Sequence, residues 1–156
     1  MRKVSDILRT KKSSVVFSIT PDTIVYNALE IMVEKNVSAL LVTENEKLTG
    51  IFTERDYARK VILKGKASRE IQIGDIMTEY PITVSPESTI DECMQLMTNK
   101  FIRHLPVLEE DKLIGIISIG DVVKFIIEDQ KFIIENMEHY ITGDDIHHFK
   151  CPFMVR

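Results

Sequence analysis

The sequence predicts a mixed α/β (α+β) protein made of two copies of one β-α-β-β-α unit related by pseudo-two-fold symmetry. Three observations lead there: an internal repeat, a shared succession of strand-like and helix-like apolar patterns, and a composition sufficient for a buried core. Residues 20–57 align with residues 85–122 at a constant offset of 65, without a gap. Self-similarity at a fixed period defines the structural unit before any element is assigned. Pro21/Pro86, Met32/Met97, Leu40/Leu105, Val42/Val107, Gly50/Gly115, Ile51/Ile116 and Asp56/Asp121 are identical pairs, and Thr53/Ser118 and Val25/Ile90 are conservative ones. A leader, Val4-Ser5-Asp6-Ile7-Leu8, recurs as Ile73-Gly74-Asp75-Ile76-Met77 at an offset of 69, so the second copy is shorter just after its leader.

Each copy opens with a short apolar run closed by a turn, Val16–Ile19 before Thr20-Pro21 and Ile82–Val84 before Ser85-Pro86. Both read as strands. Val25, Ala28, Leu29, Met32 and Val33 then recur at helical spacing, as do Ile90, Cys93, Met94 and Met97. Next come two hairpins. Val37–Val42 and Leu48–Phe52 flank Glu44-Asn45-Glu46-Lys47, and Leu105–Leu108 and Leu113–Ile117 flank Glu109-Glu110-Asp111-Lys112. Their near-continuous apolar runs predict strands covered on both faces. A second helix starts near Glu54 in one copy and near Ile119 in the other. The boundaries this suggests are 1–65 for the first copy with its leader, 66–130 for the second, and 131–156 for a C-terminal extension. Lys64–Arg69 is read as a solvated linker. Residues 122–141 carry Val123, Ile126, Ile127, Ile133, Ile134, Met137 and Ile141 along one broad face, more apolar surface than the second copy needs. That surplus implies packing on the first copy, the favoured reading, or on another subunit.

A chain of 156 residues with 44% hydrophobic and 28% charged residues is neither disordered nor collagen-like. Twenty basic against twenty-four acidic residues leave a net charge of −4, which argues against nucleic acid as a partner. No run approaches the ~20 apolar residues of a membrane-spanning helix, and the first residues lack a secretory core. The expectation is a cytoplasmic protein with no membrane partner, in which Cys93 and Cys151 are reduced thiols. Cys93 lies on the helix stripe and reads as core. His147, His148 and Cys151 match no zinc spacing, so no metal is expected.

The chemistry concentrates after each hairpin. Gly50-Ile51-Phe52-Thr53-Glu54-Arg55-Asp56 and Gly115-Ile116-Ile117-Ser118-Ile119-Gly120-Asp121 share the pattern Gly, two apolar residues, a hydroxyl residue, two variable residues, Asp. One reading is a cap, in which the hydroxyl and the acid exchange hydrogen bonds around a helix N-terminus. Another is a nucleotide site, in which free N–H groups and the helix dipole meet a phosphate while the aspartate accepts bonds from a ribose diol. The two readings are compatible.

With these motifs, the Asp-Ile-Leu/Met leaders and Arg103-His104-Leu105-Pro106-Val107, the sequence resembles the paired cystathionine-β-synthase (CBS) domain, or Bateman module, over residues 1 to about 130. It looks most like the small stand-alone members. The resemblance implies two repeats packed through their sheets into one compact disc that pairs as a homodimer. It implies adenosine-containing ligands (AMP, ADP, ATP, NAD or S-adenosylmethionine) in the clefts between repeats, and a regulatory rather than catalytic role toward an unidentified partner protein. It places Asp56 and Asp121 on ribose, Thr53 and Ser118 on ribose or phosphate, and Val16, Ile82 and Thr83 against adenine. Ser38, Ala39 and Leu40 in one copy and Arg103, His104 and Pro106 in the other supply the adjoining strand. Arg103 has no basic counterpart at Ser38, and Arg55 stands where the second copy has Gly120. The two clefts are therefore expected to be unequal, with phosphate drawn to Arg103 and positive charge supplied to the first cleft by Arg55.

Nucleophile elbow, phosphate loop, zinc-protease and dinucleotide-fold motifs are all missing from the sequence. Three functional classes stand: an adenine-nucleotide sensor, a ligand-independent interaction scaffold, and, against the charge, a nucleic-acid binder.

Overall fold

The computed structural model describes residues 2–11 and 16–142. The chain divides into two compact units, residues 1–119 and residues 120–156. The first contains helix α1 (Val4–Thr10), strand β1 (Ser18–Ile19), helix α2 (Val25–Lys35), the hairpin β2 (Ala39–Glu44) and β3 (Lys47–Thr53), and helix α3 (Glu54–Lys60). It continues with strand β4 (Thr78–Glu79), helix α4 (Ile90–Lys100) and the hairpin β5 (His104–Glu109) and β6 (Lys112–Ser118). Helix α5 (Ile119–Thr142) begins at the boundary and forms the described part of the second unit. One sheet has the order β1-β2-β3-β4, and β5 and β6 form the other.

Both hairpins form where the apolar runs place them, and they share one geometry. Asn45 and Glu46 have φ of 53° and 65°, and Glu110 and Asp111 have 50° and 62°. Two successive left-handed residues make the turn whose twist suits a tight hairpin, here without glycine. Strand β2 is covered on both faces. Leu40 and Val42 join Val25, Ala28, Met32 and Phe52 in the core beneath α2, while Ala39, Leu41 and Ile51 face Leu113 and Ile116 of the second hairpin. The alternation of side chains along a strand sends one set to the helix and the other to the opposing sheet.

The opening strands are shorter than the sequence predicts. Val16–Ile19 contributes only β1, parallel to β2, and Ile82–Val84 contributes a single bridge, Val84 to Val107. Each segment enters its Thr-Pro or Ser-Pro turn after one or two ladder contacts, so no longer strand develops. Strand β4, which the apolar pattern did not signal, pairs Thr78 with Ile51 and Glu79 with Gly50. On α2 the buried stripe is Val25, Ala28 and Met32, whereas Val33, assigned to it from the sequence, is 83% exposed. Helix α4 buries Ile90, Cys93 and Met97 and starts from a complete capping box between Thr89 and Glu92. Burial pushes the Cys93 thiol up to about 11, with Glu92 adding to the shift, so it stays protonated in the core.

The leaders cross over between the copies. Val4 N–H donates to Ser88 O (2.9 Å), Ser5 N–H to Pro86 O (3.0 Å) and Ile90 N–H to Arg2 O (3.0 Å), so the first leader docks on the second copy. Reciprocally, Ile73 N–H donates to Thr23 O (2.8 Å) and Gly74 N–H to Pro21 O (2.8 Å), and Ile73 and Ile76 complete the core of the first copy. The boundary at 65/66 follows chain order, whereas the packing exchanges the leaders across it. The exchange also accounts for the motif glycines. A Cβ on Gly50 would lie 2.6 Å from Met77 Sδ and 2.9 Å from Thr78 O, and one on Gly115 would lie 3.0 Å from Leu8 Cδ2. Leu8 and Met77 are equivalent leader residues, so each glycine makes room for the leader of the other copy.

Gly50→Ala is expected to lower the unfolding free energy by about 1–3 kcal/mol, because a backbone oxygen must move. Gly115→Ala is expected to cost less, since only a leucine methyl must yield, and urea denaturation of both variants measures the difference. A second expectation concerns acid. The Lys3 N–H that donates to Asp6 Oδ2 (2.9 Å) holds the Asp6 carboxyl below its usual value, with Arg9 adding to the effect against a partial desolvation penalty. A depressed folded-state pKa contributes stability that is present above the unfolded value and is lost as pH falls through the folded one. The first leader should therefore loosen below about pH 4. Asp6→Asn should flatten the acid limb of stability against pH.

Candidate functional site

Helix α3 starts directly from the end of β3, and its first turn is built by the Thr-x-x-Asp motif. Thr53 Oγ1 accepts from Asp56 N–H (3.1 Å), and Asp56 Oδ2 accepts from Thr53 N–H (3.0 Å) and from the Thr53 hydroxyl (3.1 Å). This is the full capping box. The other carboxylate oxygen, Oδ1, accepts from the Thr78 hydroxyl (2.9 Å) and forms an ion pair with Lys60 Nζ (3.1 Å). Asp56 is 7% exposed, the buried charged residue among the described core. Lys60 also donates to Ile76 O (3.1 Å), tying the last turn of α3 to the second leader.

Two of the N–H groups at this helix start are committed, Asp56's to the cap and Glu54's to Ser38 O (3.2 Å). Side-chain cations, rather than a free helix terminus, therefore supply most of the positive potential here. Beside the motif lies a cleft of about 570 Å³. Arg55, Arg59, Lys60 and Arg103 line it, opposed by Glu54 and Asp56. Its apolar surface comes from Ile51, Tyr80, Pro81, Ile82 and Ile102, with Thr53, Thr78, Ser38 and His104 adding polar groups. Two bonds span the copies at its edge. Ser38 Oγ lies 3.1 Å from His104 Nε2, joining the starts of β2 and β5, and the Arg55 guanidinium donates to Phe101 O at the left-handed C-terminus of α4.

Of the residues singled out from the sequence, Ser38, Thr53, Arg55, Asp56, Ile82, Arg103 and His104 line this one cleft. The others lie elsewhere. Leu40 is fully buried under α2, Ala39 lies in the layer between the sheets, and half-buried Val16 packs against that layer. Pro106 is buried in β5, where its carbonyl accepts from Val84 N–H (3.0 Å). Thr83 is half-buried beside Ile82, and Ser118 pairs with His104 at the end of β6. Asp121 belongs to the second unit.

Arg59, Lys60, Thr78 and Tyr80 line the cleft without having been picked out from the sequence. A signal for two of them was present, since Arg59 and Lys60 follow Arg55 and Asp56 by four residues and share their face of α3. Thr78 and Tyr80 follow the second leader and reach the site only because the leaders cross over. No group of three or more His, Cys, Asp or Glu suited to a metal occurs among the described residues. His147, His148 and Cys151 lie outside them. No described helix is long and apolar enough to cross a membrane.

Two crossed-over copies with a capping Thr-x-x-Asp and a cationic cleft beside it define a paired-repeat domain, and comparison with known proteins agrees. The family model for the CBS domain matches residues 4–62 and 73–128, and the chain belongs to the CBS domain family. It is 42% identical over 148 residues to the CBS domain-containing protein CBSX3, mitochondrial, of Arabidopsis thaliana, spanning 90% of this chain and 72% of that protein. A protein with CBS domains from Burkholderia ambifaria superposes with a TM-score of 0.79 at 46% identity, over 82% of this chain and 96% of the other. CBSX2, solved in complex with AMP, gives a TM-score of 0.70 at 27% identity, over 82% and 98% of the two chains. A further CBS domain pair, solved with 5′-methylthioadenosine and S-adenosyl-L-methionine, gives 0.69 at 25% identity, over 80% and 98%.

Proposed function

We propose that this chain is a regulatory module that binds an adenosine-containing nucleotide in the cleft beside α3 and signals its occupancy to a partner protein, without catalysing a reaction. The observation that carries this reading is the composition of the cleft. Four cationic side chains, the apolar Tyr80, Pro81 and Ile82, and the hydroxyls of Ser38, Thr53 and Thr78 with the Asp56 carboxylate all line this one cleft. A nucleotide calls for the same three kinds of group, cations for phosphate, hydrogen-bonding groups for the ribose diol and apolar surface for a flat base. Arg103 and Arg55 offer fork-shaped donors suited to phosphate oxygens. Tyr80 is 91% exposed and gives a planar surface for a base. AMP bound to one CBS relative and S-adenosyl-L-methionine and 5′-methylthioadenosine bound to another support the adenosine class. Within that class the cationic side favours AMP, ATP or NAD over ligands without phosphate.

A module of this kind acts by differential affinity, since a ligand shifts the conformational equilibrium only as far as it binds one state better than another. Ser38–His104 and Arg55–Phe101 join the two copies at the edge of the cleft, so a ligand there bears directly on how they pack.

Titration calorimetry of ligand-stripped protein with AMP, ATP, NAD, NADH and S-adenosylmethionine tests the proposal, and absence of heat with all five would overturn it. Arg103→Ala is expected to weaken AMP or ATP binding by about 10- to 100-fold, the scale of a lost charge-assisted contact. Adenosine, which carries no phosphate, should lose less than about threefold in the same variant.

A further inference from the structure

Helix α4 ends in a conformation that its own sequence does not favour. Phe101 follows the last helical residue in the left-handed region, with φ 54° and ψ 41°, and its N–H donates to Met97 O. The first copy closes α2 with the same turn at the equivalent position, Asn36, with φ 53° and ψ 49°. Asparagine visits this region readily, whereas a bulky side chain is strained there. Burial of the ring does not compensate, since Phe101 is 77% exposed. Strain at a residue that gains little from the core directs attention to what its backbone holds.

The carbonyl of this turn is engaged by the other copy. Phe101 O accepts from Arg55 Nη1 in the first turn of α3, and the next two residues, Ile102 and Arg103, run directly into the wall of the cleft. The residue equivalent to Arg55 is Gly120, which has no side chain to reach a carbonyl. The bond therefore joins two positions at which the copies differ, Arg55 against Gly120 and Phe101 against Asn36. The C-terminal end of a helix carries partial negative charge and favours a cation beside it. A guanidinium has donors on more than one edge, so Arg55 can hold Phe101 O with one and a phosphate oxygen with another.

Resting on the nucleotide reading above, we infer that Phe101 is a positioning residue for phosphate, its left-handed backbone at the end of α4 aiming the Arg55 guanidinium into the cleft. The turn performs this, and the ring is incidental to it. Coupling between binding and structure is reciprocal, so a phosphate held by Arg55 in turn steadies the last turn of α4. A phosphate bound beside α3 of the first copy is thereby registered at α4 of the second, whereas adenosine leaves that helix end unchanged.

Calorimetry with AMP and with adenosine on point variants of the full chain tests this. Phe101→Val introduces a β-branched residue hostile to the left-handed region, and should weaken AMP about 5- to 20-fold and adenosine less than about twofold. Phe101→Asn removes the ring but suits the turn, and should retain AMP affinity to within about twofold. Arg55→Ala should weaken AMP about tenfold, and adding Phe101→Val should cost less than about twofold more, because both act through one contact. Saturating AMP should slow hydrogen exchange of the Phe101 and Ile102 amides, both bonded to Met97 O, at least about threefold, and saturating adenosine should not. Equal losses for Phe101→Asn and Phe101→Val would assign the role to the ring and overturn the inference. So would unchanged AMP affinity in Phe101→Val, additive losses in the double variant, or exchange that does not respond to AMP. A wild type that binds no adenine nucleotide would remove the nucleotide reading itself, whereas AMP binding that is indifferent to Phe101 removes this inference alone.

Discussion

The reciprocal docking of the two leaders is the constraint on which the rest of the first unit depends. Ile73 and Ile76 fill the core under α2, and the backbone of residues 2–5 bonds to residues 86–90. Neither copy has a complete core or a complete set of backbone partners without a segment from the other. Buried polar backbone left unpaired is costly, so the exchange is enforced by hydrogen bonding as well as by apolar burial. Gly50 and Gly115 are small because a leader side chain occupies the space above them, and β4 lies on the edge of β3 because the second leader ends there.

The cleft inherits its composition from the same exchange. Thr78, Tyr80, Pro81 and Ile82 follow the second leader, α3 belongs to the first copy, and Arg103 and His104 come from the strand that starts the second hairpin. Three distant stretches of sequence therefore meet at one place. The chain carries a net charge of −4, yet the cleft has four cationic residues against two acidic ones. Local potential follows the side chains within a Debye length, about 8 Å at physiological ionic strength, and not the sum over the chain. A pocket this size suits a few phosphate groups, while the global charge still disfavours a long polyanion.

Much of this was legible in the sequence because each signal was local or repeated. The hairpins, the capping motif and the stripes of α2 and α4 follow from residue spacing, and the repeat made each reading count twice. Val33 departed from its stripe because an apolar residue near the end of a short helix can satisfy the spacing rule while facing outward. The opening strands shrank because parallel pairing depends on a distant partner strand that a run of three or four residues does not disclose. Leu40 and Pro106 share a motif with cleft residues but not a surface, since strand neighbours alternate and the core claims those most fully covered. Thr78 and Tyr80 were invisible because their place in the site is set by chain crossing, for which local sequence carries no mark.

The partners that already hold Asp56 bear on how the proposed nucleotide would engage it. Its carboxylate accepts three hydrogen bonds, two from Thr53 and one from Thr78, and forms an ion pair with Lys60. A sugar hydroxyl that reaches it competes with these partners, because a carboxylate offers only about four acceptor sites. The donor most readily released is the Lys60 ammonium, at the end of a flexible stem. Its bond to Ile76 O keeps it at the cleft, where a visitor that brings its own anion offers it a second partner. Sugar and anion would then be tested jointly through a single mobile cation, in the manner of a two-key lock that neither group opens alone.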